Sequence, residues 1–345
     1  MSKAAELAAL IGSGQAQENK NLIINGEMKI DQRNATTTAT GYTLDRYYCA
    51  KENFDELVIA ITQDTDSPDN FSNSLKFAVT TAESSLASDE IMYISQKIEA
   101  QNLQHLNFGS SAAKSITLSF FVKSSLTGKY SVLMYSEDAV RSNLQSYTIN
   151  SANTWEKKTI TFDGDTAGSG INNDNGTGFW LFFSLAAGSD YHGTPHTGWG
   201  AYSATDDFQH SDAVNFAAQT GEFFITGIQL EVGDVATPFE HEDYTTTLTK
   251  CRRYYQYITG NQYYGGFWAY TGSTSVYVQL VPQMRAAPTV TNYNVRNGST
   301  GATASNQAAN YGAIDGFNVP IDGSGGSDTH FSHINQAYLE ASAEM

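Results

Sequence analysis

Six oxygen-bearing side chains, Asp163, Asp165, Asn172, Asn173, Asp174 and Asn175, crowd two neighbouring turns of this chain. Hard oxygen donors of that kind suit calcium. Their spacing matches no calcium loop, and Asp, Asn and Gly are also what β-turns select on backbone grounds. No cofactor is therefore expected, with calcium the one candidate ion. His192 with His196, and His330 with His333, invite a metal reading, but neither pair has a third ligand at supporting spacing. They read as loop histidines. Glu231, Glu240 and Glu242 lie close in sequence, whereas a glycosidase needs two carboxyl groups at a set separation across a cleft, which sequence alone does not show. There is no HExxH, no GxSxG and no glycine loop opening a helix onto a phosphate. The chain is not expected to be an enzyme.

What remains is stacking chemistry. The long segment from Tyr191 to Ala218 has little periodicity and sets Tyr191, Trp199, Tyr202 and Phe208 among glycines. Flat amphipathic rings bind the apolar faces of sugars at low entropic cost. Trp199 is the first choice, because Gly198 and Gly200 would let its ring stand clear of the loop. The same rings would serve equally well to pack the loop onto its own domain or onto a neighbouring copy.

The elements that must position these residues are strands. From Gly221 the chain alternates, with Phe224, Thr226, Ile228, Leu230 and Val232 on one side of an extended strand and Phe223, Ile225, Gln229 and Glu231 on the other. Gly233-Asp234 turns the chain, and Asp243 can cap a short helix with Tyr244, Leu248 and Cys251 at i, i+4 and i+7. Upstream, strands are expected at Leu22 to Ile24, Met28 to Ile30, Leu44 to Cys49, Glu56 to Thr62, Leu75 to Thr80 and Ile91 to Ile98. One or two helical turns follow at Ala100 to Leu106, then strands at Ser115 to Lys123, Lys129 to Tyr135, Trp155 to Phe162 and Phe179 to Ala186. That regular spacing predicts a sandwich. Beyond Arg252 the chain turns rich in Gly, Asn, Ser, Thr and Tyr, with strands at Tyr254 to Thr259, Thr274 to Val281, Thr289 to Val295, Tyr311 to Val319 and Asn335 to Ala341. The expected fold class is all-β, in segments 1–20 (a short helix), 21–242 (a β-sandwich) and 243–345 (a linker helix and a smaller β-sandwich domain).

Formal net charge is -17. A field of that sign repels phosphate backbones and anionic lipid, so nucleic acid is not an expected partner. Two cysteines, Cys49 and Cys251, are too few for a disulfide framework and read as small core residues. No apolar run approaches the roughly 20 residues of a membrane helix, so no membrane insertion is expected. Leu7, Leu10 and Ile11 stripe a helix of about ten residues, too short to stand alone in water, so it needs its own domain, another copy or a docking partner.

Four stretches carry a family resemblance: NLIINGEMKIDQR (Asn21 to Arg33), QLEVGDVATPFE followed by CRRYY (Gln229 to Tyr255), PQMRAAPTV (Pro282 to Val290) and AYLEASAEM (Ala337 to Met345). Together they resemble the tail fibre and related virion proteins of tailed bacteriophages. SITLSFFVK, the strand opened by Thr154-Trp155 and the closing IQLE resemble the jelly roll of carbohydrate-binding modules. Thr226 and Gly227 stand where such modules often carry an acid, so the resemblance implies the fold and not a metal site. What it implies for function is a structural fibre subunit of a virion, assembled in the host cytoplasm. Such a subunit would be homotrimeric, would dock on other virion proteins through its N-terminus and would bind host surface glycan. The alternative is a head or tail decoration or adaptor fibre that binds only virion proteins. A glycan hydrolase stands third, since polysaccharide-degrading tailspikes are expected to show a β-helix repeat and none is visible.

Overall fold

The computed structural model describes residues 20–34, 36–192, 198–203, 208–258, 274–293, 310–321 and 338–345. The expected N-terminal helix with Leu7, Leu10 and Ile11 lies outside the described residues, as do His196, His330 and His333. Two antiparallel sheets form a jelly-roll sandwich. The first has seven strands in the order β1 (Gly41–Tyr42), β2 (Tyr48–Glu52), β5 (Ile91–Glu99), β10 (Thr177–Ala187), β7 (Gly128–Ser136), β8 (Arg141–Ile149) and β11 (Gly200–Ala201). The second has five, in the order β3 (Val58–Asp64), β4 (Ser74–Thr81), β12 (Gly221–Val232), β6 (Ile116–Ser124) and β9 (Glu156–Phe162). Neighbours distant in sequence, β5 beside β10 and β4 beside β12, require connections that cross between the sheets.

The inner faces interdigitate. Met92, Ile94, Val132 and Phe183 from one sheet meet Ile61, Phe77, Phe120 and Ile225 from the other in one buried cluster, with Phe120 and Phe183 edge to face at 5.1 Å. Strand β8 escapes the sequence pattern because its apolar residues are few: Tyr147 and Ile149 point inward, and Leu144 lies on the outer face. Cys49 and Cys251 are both buried and free, as expected.

Three expectations for the first fifty residues need correction. Residues Leu22 to Ile24 and Met28 to Ile30 form no strands. The Asn25 side chain donates to the carbonyls of Ile30 and Asp45 and accepts from the Ile30 amide, holding a turn around the left-handed Asn25 (φ 61°) and Met28 (φ 56°). Strand β2 starts at Tyr48 and not at Leu44, since Arg46 is also left-handed (φ 74°).

The closing strand β12 does not keep one alternation. Phe223 and Ile225 enter the core, and so do Ile228 and Leu230, which sit on the opposite parity. The register against β6 slips between Thr226 and Gln229, a β-bulge centred on Gly227 at φ +60°. A Cβ at Gly227 would stand 2.8 Å from Phe71 Cζ and 2.9 Å from Phe121 Cδ2, so a side chain there is excluded on contact as well as on φ.

The bulge turns Gln229 and Glu231 toward the returning chain, where they build a clasp. Thr237 donates its amide (2.9 Å) and its hydroxyl (2.6 Å) to the Glu231 carboxylate, Gln229 Nε2 donates to the same carboxylate, and the Glu240 amide donates to Gln229 Oε1. Glu240 in turn accepts the Asn21 amide. Helix α1 (Tyr244–Arg252) follows, capped by Asp243, whose side chain accepts the Thr246 amide at 3.0 Å. Its buried residues are Thr247 and Cys251, while Tyr244 faces out, so the expected stripe is rotated.

Beyond the helix lie two three-stranded antiparallel sheets. One runs β13 (Tyr255–Ile258), β18 (Tyr338–Ser342), β15 (Thr289–Tyr293); the other runs β14 (Thr274–Gln279), β17 (Gly316–Ile321), β16 (Asn310–Ala313). The single strand expected over Tyr311 to Val319 is thus a hairpin, β16 and β17. A seam joins this unit to the sandwich. Gln32 Nε2 donates to the Tyr255 carbonyl and Arg253 makes a two-pronged pair with Glu99, while on the near side of the seam the Ala343 amide donates to the Tyr254 carbonyl and the Arg285 amide to the Arg253 carbonyl. The four stretches quoted above for their resemblance therefore meet at one place.

Candidate functional site

Alternation along the strands of the seven-stranded sheet gives it an outer face that is aromatic as well. Register sets the rows: Tyr42 opposite Tyr48, Tyr48 opposite Ser95, Ser95 opposite Phe182 and Phe182 opposite Leu133. The next row runs Lys97, Trp180, Tyr135, and the one on the other side runs Ala50, Tyr93, Ser184. Rings on such rows lie within reach of each other across strands. Tyr42 meets Tyr48 at 5.2 Å, Tyr48 meets Tyr93 at 6.3 Å and Tyr93 meets Phe182 at 5.2 Å.

Described residues that follow β10, Tyr191, Tyr202 and Phe208 among them, pack onto part of this face. Phe208 is only 4% exposed and packs edge to face on Tyr93 and Phe182. Gln209, also buried, accepts from the Ser184 hydroxyl, and the His210 amide donates to Ser131 Oγ. Tyr202 lies on Tyr135 with ring centroids 4.4 Å apart, and the Tyr191 carbonyl accepts the amides of Phe208 and Gln209. Beside them, among the described residues, lies a cleft of about 330 Å³. Tyr48, Tyr93, Ser95, Lys97 and Trp180 line it on the strands, Tyr42, Arg46 and Glu52 flank it, and Met345 of the chain end closes one side. Tyr42 fixes that wall by donating its hydroxyl to the Met345 carbonyl at 2.7 Å.

The polar groups of the cleft differ in how far they are already engaged. Arg46 is fully buried, paired with Glu344 and donating to the Lys97 carbonyl. Glu52 accepts the Tyr93 hydroxyl at 3.3 Å. Burial, reinforced by Glu52, pushes the Tyr93 and Tyr48 hydroxyls above their ordinary pKa, so both stay neutral donors. The Lys97 ammonium lies 4.0 Å from the centroid of the Trp180 ring, and burial pulls its pKa below the usual lysine value, with Glu137 opposing.

Of the four rings singled out in the sequence, Tyr191, Tyr202 and Phe208 do come together on this face, but as the cover of the loop and not as its presented surface. Trp199 sits elsewhere. Its indole packs on Phe108 at 5.4 Å and Phe179 at 6.1 Å, and Nε1 donates to the Asp163 carbonyl at 2.6 Å. The ring expected to stand clear is folded in. The rings that do line the cleft, Tyr42, Tyr48, Tyr93 and Trp180, were missed because they belong to strands. Their signal was the aromatic residues on the parity opposite to the core in Ile91–Glu99 and Thr177–Ala187.

Of the candidate calcium side chains, Asp165 pairs with Arg141, Asp174 accepts the Gly176 amide, Asn172 donates to Asp138 and Asn175 donates to the Arg285 carbonyl. Among the described residues, no three His, Cys, Asp or Glu side chains converge. Glu231, Glu240 and Glu242 are each held in the clasp or against Lys250 and Thr247. A larger cavity, about 1150 Å³, opens beside the seam and shares Lys97 with the cleft; of its other cations, Arg253 pairs with Glu99, Lys250 pairs with Glu242 and Lys20 donates to the Thr237 hydroxyl. Its tyrosine, Tyr254, is stacked on Arg46. No helix among the described residues is long and apolar enough to cross a membrane.

No protein-family model matches the chain, and no curated protein matches it. Among solved structures it is similar to the enzymatically active domain of bacteriophage CBA120 tailspike protein 4, at 12% identity and a TM-score of 0.36 over 62% of this chain. That match covers 21% of the tailspike chain, about a fifth of its length. A protein of Bacteroides thetaiotaomicron with a proposed sugar-binding role matches at 14% identity and a TM-score of 0.36, over 61% of this chain and 99% of its own. The family 11 carbohydrate-binding module of a Clostridium thermocellum cellulosomal cellulase matches at 12% identity and a TM-score of 0.30, over 61% of this chain and 98% of its own.

Proposed function

We propose that this chain is a structural subunit of a phage fibre and that it attaches to host surface glycan through the cleft on the outer face of the seven-stranded sheet. The observation that carries the reading is the cleft itself: tyrosine rings on rigid strands, beside a serine, a carboxylate and an ammonium, next to the part of the same face on which Phe208 and Tyr202 pack. Sugars offer flat C–H faces and a rim of hydroxyls, so a binding site for them needs rings for the faces and fixed polar groups for the rim. The virion assignment rests on the four stretches that resemble tail fibre proteins, and the seam they build gives them a shared structural task. Trimeric assembly and docking through residues 1–20 belong to the same reading. Linked copies would let weak single sites hold a particle, because each bound copy raises the effective concentration of the next contact. Binding without hydrolysis fits the commitment of Glu231, Glu240 and Glu242 to the clasp and helix.

The test is retention of the full chain on an array of bacterial surface glycans, run beside Tyr48→Ala. Tyr48 is half-buried and loses only ring contacts on truncation. Loss of retention with an unchanged melting temperature is expected. An intact chain that retains no glycan, or a variant that retains all of it, overturns the proposal.

A further inference from the structure

Lys97 is the cation at this cleft without an acidic partner. The neighbouring guanidinium, Arg46, is spent on Glu344, whereas no carboxylate lies within ion-pair distance of Lys97 Nζ among the described residues. Its position is nonetheless fixed. Strand register places Lys97 directly opposite Trp180, and the ammonium rests over the indole at 4.0 Å, a contact that orients a cation without neutralising it. Lys97 is partly buried, which removes part of its hydration and pulls its pKa down, with Arg285 and Arg46 acting in the same direction and Glu137 against. A half-dehydrated, preoriented ammonium gains more from one anionic contact than a solvated surface lysine does.

The other end of the cleft has the opposite character. Glu52 keeps a carboxylate there, bound to the Tyr93 hydroxyl. A ligand is therefore met by positive charge at Lys97 and by an acceptor at Glu52, with the Tyr48 ring between them in the register of the strands.

We propose, building on the glycan-binding reading, that the cleft selects an acidic saccharide, one carrying a carboxylate, and that Lys97 is the residue that recognises it. The carboxylate meets the ammonium over Trp180, and neutral hydroxyls of the same saccharide donate to Glu52. Net charge of -17 sets the scale of this recognition. A long polyanion is repelled by the whole surface, but at physiological salt that field is screened within about 8 Å. A single carboxylate at contact distance is not screened in this way. The cleft volume, near the lower end of the roughly 300 to 1,000 Å³ of ligand pockets, suits a short stretch of saccharide.

The experiment uses the full chain, Lys97→Gln and Lys97→Arg on a panel of glycans. The panel contains uronate and sialate members, the same acidic glycans with their carboxylates reduced to alcohols, and neutral members. Thermal melting of each variant is read alongside. The expected result is binding of acidic members, about tenfold weaker binding of their reduced forms, the same loss in Lys97→Gln, and substantial recovery in Lys97→Arg. Binding that is equal for native and reduced forms and indifferent to Lys97→Gln overturns the acidic specificity and leaves glycan binding standing. Retention of no member at all, acidic or neutral, overturns the glycan-binding reading together with this one.

Discussion

The Arg46 guanidinium lies 3.4 Å from the centroid of the Tyr254 ring. The two residues are more than two hundred positions apart, one at the start of the sandwich and one at the start of the C-terminal unit, and both are fully buried. Glu344 closes the arrangement by pairing with Arg46 and Arg33. The chain end is thereby pinned to the sandwich, which is also how Met345 comes to wall the cleft.

Glu344→Gln should be costly for that reason. It leaves the Arg46 charge buried with a carbonyl and a ring but no counter-ion, and breaking a buried pair in this way costs about 3–5 kcal/mol. Replacing both Arg46 and Glu344 with Met should recover much of the loss, since no uncompensated charge remains. Urea unfolding of the two proteins checks this. A Glu344→Gln chain as stable as the parent would show that the pair does not hold the seam.

Burial pushes the Asp45 carboxyl up from 3.8 to about 6, against the Gln32 amide and side chain and Arg33, which favour the ionised form. Between those two values the folded chain holds a proton that the unfolded chain has released, so stability falls as pH rises through the window. A change of about 2 in pKa corresponds to a loss of order 3 kcal/mol. Unfolding free energies taken at about pH 4 and about pH 7 should show a smaller fall in Asp45→Asn than in the parent, because the variant has no carboxyl to ionise. Equal falls in the two proteins would count against the assignment.

Trp199→Ala should lower stability by about 2 kcal/mol, less than a fully buried tryptophan would cost, because the ring is only partly covered. What it loses is packing on Phe108 and Phe179 and the bond to the Asp163 carbonyl. Glycan retention should be unchanged, since the ring is not among those lining the cleft. Thermal melting and array retention on the same variant separate the two roles, and normal melting with lost retention would return Trp199 to the binding surface.

Thr237→Val removes the hydroxyl that meets Glu231 while keeping the side-chain shape. Glu231 is 3% exposed, and a buried carboxylate that loses a donor costs about 1–3 kcal/mol. Hydrogen exchange should locate the loosening at the end of β12 and at residues 20–24, which the clasp ties together through Asn21 and Glu240. Loosening confined to the Thr237 turn would mean that the clasp does not reach the N-terminal segment.

The fold class and most of the strands were legible in the chain of residues alone, because a period of two in apolar residues is a local property and the sandwich obeys it from Val58 to Phe162 with one exception. That exception, β8, is carried by so few apolar residues that its place is decided by its partner β7. The Asp243 cap was legible too, since a side chain that bonds an amide three residues on needs no tertiary context. The faces of β12 were not legible: at the Gly227 bulge the backbone lies against Phe71 and Phe121, which arrive from other parts of the chain, and the slip in register changes which parity enters the core. The same limit governed the site. Rings in a loop announce themselves by composition, yet the loop rings were drawn down as a cover, while the open cleft was assembled by register from Tyr48, Tyr93 and Trp180 on strands far apart in sequence. Which outward-facing row is left uncovered depends on where a loop and a chain end come to rest, and long-range packing alone decides that.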